Sequence, residues 1–553
     1  MGMQRSPLLM SRLIERGATV SPQTEIVTAT ATGTRRQTYA ETSERAHQLA
    51  GALRDAGIGI GDRIGTFMWN SSQHVEAYHA SAGMGAVLHT LNTRLSPTDL
   101  AYIINHAADR LIIVDEDLVP IMETLQSRLP SVERFIIVQG TDDFDISATS
   151  LANAIAYEDF IAGFPTHTTW PELDEYAPLG LCYTSGTTGN PKGVEYEHRA
   201  QYLHTLTISL TDSMSLSATD TLCGIVPMFH AMGWGLPWAA LMLGCKQVLP
   251  HRFMQPGRLL QLIAEEGVTL SAGVPTIWQG LKAELEAQPD KFDLSRLQRL
   301  TCGGSAPPLS MIQWYWETYG IEIIQGWGMT EMSPLGTLSR RHAKYGDDRL
   351  PMEDRFADMG KAGLLMPGLE LDVFNENNER LPHDGEQIGE IYVRGPWICK
   401  EYFHDPQPDK FFEDWLITGD VGTIDENEYL IIADRSKDLV KSGGEWISSV
   451  DLENNIVSIE GVQQACVVAQ PHPKWDERPV ALVVLGPDVE ISSEVIVTHC
   501  AEKFAKWQIP DEILFVSEIP QTSTGKMDKK TVRANLQASG YVLPDLRTAE
   551  DVA

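Results

Sequence analysis

The sequence is short of positive charge: 43 Lys and Arg stand against 75 Asp and Glu, a formal net charge of −32 over 553 residues. So acidic a chain repels nucleic acid and anionic lipid, and neither is expected as a general partner. Any small anion it binds must therefore meet a local basic cluster or a divalent cation. Cysteine is scarce and scattered, with seven residues (Cys182, Cys223, Cys245, Cys302, Cys399, Cys466, Cys500) and no Cys-x-x-Cys pair. An odd, dispersed set excludes a disulfide framework and a structural zinc site, and fits reduced, buried thiols in a cytoplasmic protein. Charge of either sign is missing from Thr221 to Cys245, a run long enough to raise a membrane span. Pro227, Pro237, His230 and four glycines interrupt it, so a buried strand, turn and helix is expected and a span is not. Internal repeats and low-complexity tracts are absent.

What is present is an ordinary globular composition, 43% hydrophobic and 21% charged, at a length that gives two to four domains. Thr38-Tyr39 leads into an amphipathic helix with Ala46, Leu49, Ala50 and Leu53 on one face, stopped by Gly57 and Gly59. Strand-like runs at 64–68, 111–114 and 135–138 alternate with helical segments, which predicts α/β layers with parallel sheet. Residues 222–227 read as a buried strand, and 300–307 and 323–331 as strands closing into glycine turns. The charged stretch Arg340 to Asp358 reads as a surface loop, and 363–435 as a small β-rich subdomain. Beyond Asp434–Asp438 the pattern changes to strands at 462–469, 480–485 and 513–516 and helices at 492–506 and 529–536. The expected fold class is α/β: a large N-terminal domain (1–435) of αβ-layered sheets with its β-rich subdomain, then a small mobile α+β C-terminal domain (436–553).

The most informative stretch is Tyr183-Thr184-Ser185-Gly186-Thr187-Thr188-Gly189-Asn190-Pro191-Lys192-Gly193-Val194. Small residues let backbone N–H groups approach an anion, hydroxyls add contacts, and Lys192 adds a mobile positive charge, so the loop reads as a triphosphate cradle. It is not the NTPase P-loop, because Lys192 is followed by Gly193 rather than a hydroxyl residue, and Val194-Glu195-Tyr196 alternates like a strand instead of opening a helix. An ordinary Gly/Ser/Thr hairpin loop is the plain alternative for a shorter match.

The loop resembles the signature of the adenylate-forming superfamily of acyl-CoA synthetases, luciferases and peptide-synthetase adenylation domains. Further segments match in order, through Gln521-Thr522-Ser523-Thr524-Gly525-Lys526, so the resemblance covers nearly the whole chain. It implies ATP, coenzyme A and Mg²⁺ as reactants and cofactor, and a small carboxylic acid as substrate. Ser185, Gly186, Thr187, Thr188, Gly189 and Lys192 are then phosphate-loop residues, and Thr184 with Glu331 holds Mg²⁺, a hydroxyl and a carboxylate being hard oxygen ligands. Gly303, Gly304, Ser305, Ala306 and Pro307, with Gln325, Gly326, Trp327, Gly328 and Met329, resemble the adenine slot, and Thr330 the α-phosphate contact. Asp420 resembles the carboxylate that accepts from the ribose hydroxyls, with Arg435 as its basic companion. Lys526 matches the lysine that neutralises charge between carboxylate and α-phosphate. Lys437 falls at the hinge, and Lys441, Gly443, Gly444 and Trp446 resemble the segment that accompanies pantetheine.

His230, Ala231 and Trp234 match the wall of the acyl pocket, with His230 orienting the carboxylate rather than acting as a base. The segment Met228 to Trp234 has no acidic residue, where amino-acid-activating relatives carry an aspartate. The resemblance is greatest to bacterial medium-chain acyl-CoA ligases, including the 3-methylmercaptopropionate-CoA ligases of dimethylsulfoniopropionate breakdown. It implies acyl-CoA, AMP and pyrophosphate as products, and a homodimer. An NTPase would release ADP instead, and a luciferase-like oxygenase would emit light.

Overall fold

The computed structural model describes residues 2–140, 144–184, 190–340, 352–442, 445–486, 489–522 and 526–541. Two large sheets carry the N-terminal domain. In spatial order the first runs Ala154–Ala156, Arg134–Val138, Leu111–Asp115, Arg63–Phe67, Val87–Thr90, Pro178–Tyr183 and Gly193–Glu197. Its neighbours are parallel except the last two, an antiparallel hairpin whose connection is the glycine- and hydroxyl-rich loop. The loop is therefore followed by the strand Gly193–Glu197 and not by a helix, as the strand-like alternation after Gly193 predicts.

The second sheet has six parallel strands at its centre, in the order Glu322–Gly328, Arg299–Cys302, Leu270–Gly273, Thr221–Gly224, Lys246–Leu249 and Glu25–Ala29. Antiparallel strands close its two edges. Parallel strands deliver their C-terminal ends, and the loops that follow, to one side of the sheet. The pairing Cys302↔Gln325 sets Gly303, where one strand ends, beside Gly326 of its neighbour.

Local sequence rules account for the helix Tyr39–Asp55. Thr38 and Glu41 form a reciprocal capping box, with Thr38 N donating to Glu41 Oε2 at 2.7 Å and Glu41 N to Thr38 Oγ1 at 3.2 Å. Ala46, Leu49, Ala50 and Leu53 are fully buried, and Gly57 takes a left-handed φ of 86° just past the end.

Two expectations need correction. The 222–227 strand ends at Gly224, because Pro227 has no N–H to offer a ladder and the Asn70 side chain takes over the pairing. Its amide donates to the carbonyls of Gly224 and Val226, each at 2.7 Å, and accepts from Met228 N at 2.8 Å. The Arg340–Asp358 loop is in part a helix, Met352–Met359, docked through the buried Phe356; residues 341–351 lie outside the described residues. The remainder of the uncharged run forms a turn and the short helix Leu236–Leu243. No described helix is long and apolar enough to cross a membrane. All seven cysteines are unpaired, six of them buried.

A third, antiparallel sheet (Glu370–Phe374, Gly389–Arg394, Phe411–Phe412, Trp415–Ile424, Leu430–Arg435) is followed by a fourth (Val440–Ser442, Glu445–Ile447, Val462–His472, Asp476–Leu485, Glu512–Phe515). The change of sheet falls between Arg435 and Val440. The architecture is thus the α/β large domain and smaller α+β C-terminal domain that the pattern implies.

The N-terminal helix Met10–Val20 packs so tightly on Leu236–Leu243 that a Cβ on Gly17 would lie 1.8 Å from the Leu241 carbonyl oxygen. Backbone cannot yield there as a side chain can. Gly17→Ala is expected to force the helices apart and cost about 1–3 kcal/mol, read as a thermal midpoint several degrees lower with the C-terminal domain's transition unchanged.

Candidate active site

A cleft of about 810 Å³ lies where the strand ends of the second sheet, the phosphate-loop hairpin, the third sheet and the C-terminal domain meet. Its walls include Thr184, Lys192, His230, Trp234, Gly303, Gly304, Ser305, Ala306, Gln325, Gly326, Trp327, Gly328, Met329, Thr330, Glu331, Asp420, Arg435, Lys437 and Lys526. Residues from widely separated segments are thus gathered around one cavity. Among the described residues, nine Lys and Arg line it against seven Asp and Glu, a local excess of positive charge in a chain of net −32. Anions are drawn here and nowhere general.

On one side the geometry suits a nucleoside. Trp327 Nε1 donates to Asp420 Oδ2 at 2.7 Å, and Arg435 Nε lies 3.1 Å from Asp420 Oδ1. Each carboxylate oxygen keeps a further lone pair, so the acid is oriented but can still accept from a diol. The cross-strand pairing Asp420↔Arg435 sets this ion pair. Gln325 is buried and lines the cleft, and its Oε1 has no partner among the described residues, an acceptor to which a purine amino group could donate. A Cβ on Gly328 would sit 1.9 Å from Pro334 O, so only glycine fits that turn. Thr330 is fixed by Tyr196, whose hydroxyl donates to the Thr330 carbonyl at 2.7 Å.

Opposite lies the phosphate side. Thr184 N donates to Lys192 O at 2.9 Å, and Lys192 N to Thr184 Oγ1 at 3.3 Å, closing the neck of the loop. Ser185, Gly186, Thr187, Thr188 and Gly189 lie outside the described residues. Lys192 Nζ donates to Gln407 Oε1 at 2.8 Å. Glu331 is buried and accepts from the Tyr402 hydroxyl through Oε1 at 2.6 Å; no described group bonds its Oε2. Burial, then the Glu331 charge, pushes the Tyr402 pKa well up, so the phenol remains a donor. Among the described residues no cluster of three or more His, Cys, Asp or Glu could cage a metal by itself. Magnesium suits the arrangement even so, because it binds through one or two protein oxygens and completes its shell with substrate phosphates and water. The Thr184 hydroxyl and Glu331 Oε2 are the oxygens offered.

Lys526 enters from the C-terminal domain. Its Cε would lie 3.0 Å from a Cβ on Gly304, and its Nζ makes no hydrogen bond among the described residues. Burial first, then Arg435, lowers its pKa to about 8, while Asp420 and Glu331 pull it back up. His230 is lowered to about 4 by burial and by the Lys526 charge, so at neutral pH it is an uncharged imidazole and a poor proton acceptor. The segment expected to wall the acyl pocket has an unusual backbone: Ala231, Met232, Gly233, Trp234 and Gly235 have φ of 43°, 53°, 61°, 57° and 73°. Such a left-handed turn costs roughly 1–2 kcal/mol per non-glycine residue. It lays the Trp234 indole on Gly303, where a Cβ would meet the ring at 2.8 Å.

Some expected residues are elsewhere. Ala231 and Pro307 are buried behind the wall rather than lining it, the first because the left-handed turn directs it into the core. Lys441 and Trp446 face outward on their hairpin, with the ammonium 5.3 Å from the indole centroid, and Gly443 and Gly444 lie outside the described residues. The orientation shown is the one that brings Lys526 to the cleft. Tyr402, Tyr196 and Gln407 were missed, having no motif of their own.

Comparison with known proteins agrees with this geometry. The profile of the family described as AMP-binding enzyme matches residues 14–403, and that of the AMP-binding enzyme C-terminal domain matches 451–526. The chain is 43% identical over 528 residues to a long-chain-fatty-acid–CoA ligase of Thermus thermophilus, covering 94% of each chain. It is 40% identical over 532 residues to a 3-methylmercaptopropionyl-CoA ligase of Ruegeria pomeroyi, covering 96% of this chain and 98% of that one. Among solved structures, an anthranilate CoA ligase in complex with anthranoyl-AMP matches with a TM-score of 0.86 at 26% identity, over 98% of this chain and 99% of that one.

The depressed lysine can be read directly. In competitive labelling with an amine-specific acylating reagent, Lys526 is expected to titrate with a midpoint near pH 8, against above 10 for exposed lysines. Arg435→Gln removes the neighbouring cation and should move that midpoint upward.

Proposed function

The chain belongs to the adenylate-forming AMP-binding enzyme family, as an AMP-forming acid–thiol ligase, and from that premise we propose that its substrate is a short thioether acid, 3-(methylthio)propionate. A generic short- or medium-chain fatty acid is the alternative. The observation that carries the reading is the Trp234 indole seated on Gly303, taken as one wall of an apolar slot in a cleft that Met214, Phe229 and Pro334 also line. A thioether is apolar enough for such a slot and finds polarisable sulfur and aromatic neighbours there. The Ruegeria relative is named for this acid. The Thermus relative, named for long-chain acids at 43% identity, shows why identity alone does not choose.

The proposed roles follow from placement. A carboxylate oxygen of the acid, held beside neutral His230, attacks the α-phosphorus of ATP in line, and pyrophosphate leaves. Lys526, whose ammonium makes no hydrogen bond among the described residues, is the group proposed to act on the charge that builds up there. Asp420 and Arg435 hold the ribose side, Gln325 the base, and Thr330 the α-phosphate. Thr184 and Glu331 are the residues to hold Mg²⁺, whose contribution is to neutralise the triphosphate. The thiol of coenzyme A then attacks the acyl carbon and AMP departs, in the step assigned to the outward-facing Lys441 and Trp446 segment after a turn about Lys437. None of the buried cysteines is required as a nucleophile.

Two measurements test this. Steady-state kcat/KM across propionate, butyrate, hexanoate, octanoate and 3-(methylthio)propionate, with CoA saturating, should peak at the thioether acid; a maximum at octanoate or longer overturns that assignment. Lys526→Ala should abolish acyl-AMP formation, while supplied acyl-AMP is still converted by CoA. Because only the protonated lysine carries the charge, and its pKa is about 8, wild-type adenylation should fall as pH rises through 8. Residual activity in Lys526→Arg should lack that alkaline limb, since a guanidinium stays charged.

A further inference from the structure

The segment Cys399–Gln407, which links two strands of the third sheet, is tied at four points to groups on the phosphate side of the cleft. Cys399 N donates to the Glu331 carbonyl at 2.8 Å, and the Tyr402 hydroxyl donates to Glu331 Oε1 at 2.6 Å. Phe403 N donates to Gly193 O at 2.8 Å, at the exit of the phosphate loop. Gln407 Oε1 accepts from Lys192 Nζ at 2.8 Å and is itself held by its amide donating to Asp405 Oδ1 at 2.8 Å. Tyr402 stands at the centre of this strap. It is 5% exposed, faces the cleft, and presents its ring to the Lys192 ammonium at 5.1 Å from the centroid.

These contacts divide the labour within one side chain. A carboxylate offers two oxygens, and a free one can rotate between one- and two-oxygen coordination. The phenol takes one lone pair of Oε1 and pins the carboxylate plane, so Oε2, with no donor among the described residues, is the oxygen Glu331 presents foremost. The ring face, together with Gln407, keeps the lysine charge at the loop neck, where it cannot fold back onto the same carboxylate.

We propose that Tyr402 is a positioning residue for adenylation: its hydroxyl makes Glu331 a one-oxygen ligand for the divalent cation of the nucleotide, and its ring stations Lys192 beside the phosphate loop. The proposal rests on the ligase reading above for the identity of the nucleotide, and on the strap geometry alone for the positioning.

The test compares wild type with Tyr402→Phe, which keeps the ring and its packing. Binding of Mn²⁺ in the presence of a non-hydrolysable ATP analogue, followed by electron paramagnetic resonance, should weaken on the order of tenfold, as for loss of a hydrogen bond to a charged group. KM for ATP in ATP–pyrophosphate exchange should rise similarly with KM for the acid unchanged, and conversion of supplied acyl-AMP by CoA should be unaffected. Tyr402→Phe combined with Glu331→Gln should bind Mn²⁺ no more weakly than Glu331→Gln alone, since the hydroxyl acts only through that carboxylate. Gln407→Ala should weaken binding of the analogue without changing its Mn²⁺ dependence. Unchanged Mn²⁺ binding in Tyr402→Phe overturns the proposal, as does an equal loss in both half-reactions or full additivity in the double variant. A wild-type protein that forms no acyl-AMP from any acid overturns the ligase reading instead, and the Mn²⁺ titration still decides the role of Tyr402.

Discussion

The site depends on one buried carboxylate being kept in a fixed attitude. Asp420 takes an indole N–H on one oxygen and a guanidinium on the other, and those partners come from the second and third sheets. A carboxylate without partners in that position would be costly, since desolvation of a charge is offset only when its hydrogen bonds are satisfied. The indole contact ties the third sheet to the second at the cleft, while the guanidinium contact joins neighbouring strands within the third. They also set the charge of the floor. Arg435 lowers the pKa of Lys526, while Asp420 and Glu331 raise it, and the balance leaves the lysine mostly protonated at neutral pH without a fixed partner.

Much of this was legible in the chain. Glycine-rich turns after apolar runs mark strand ends, and the residues named there (Gly303, Gly304, Gln325 to Glu331) line the cavity because parallel strands put successive loops on one side. The helix at Tyr39–Asp55 followed from its apolar face and from the glycines that stop it. What stayed illegible acts through contacts distant in sequence. Nothing around Tyr402 announces that its hydroxyl will reach Glu331, 71 positions earlier, and nothing near Asn70 signals that it will end a strand 154 positions later. Periodicity reports which face is buried, not which partner is met.

The left-handed turn at Ala231–Gly235 was hidden for a different reason. Glycine at 233 and 235 permits it, but Ala231, Met232 and Trp234 do not favour it, so the conformation is imposed by packing. Met232 reaches across to Gly180, where a Cβ would lie 1.9 Å from its terminal methyl, and Gly235 is pressed against His204. The turn is therefore packed closely at Met232 and at Gly235, and the indole between them lies against Gly303. Strain of this sort is sustained by its surroundings, and here the strained turn is the one that places the indole on Gly303.

The attitude of the C-terminal domain has a local cause as well. Asp434, at the end of the third sheet, accepts from Ser449 N at 2.8 Å and from the Ser449 hydroxyl, at the start of the helix Ser449–Val457. A carboxylate at a helix N-terminus is stabilised by the exposed N–H groups there. Behind it, Lys529 bridges Glu453 at 2.8 Å, and Arg533 pairs with Asp438 at 2.8 Å across the connecting segment. These links hold the helix that follows Lys526 to the Ser449–Val457 helix and to the connecting segment, and Asp434 in turn ties the Ser449–Val457 helix to the third sheet. Any turn about Lys437 that brought Lys441 and Trp446 inward would have to break the Asp434–Ser449 contact first, because its two sides belong to the bodies that separate. The acidic chain thus spends one carboxylate at each end of the connection: Asp420 to build the site, and Asp434 to keep it closed over the charge it requires.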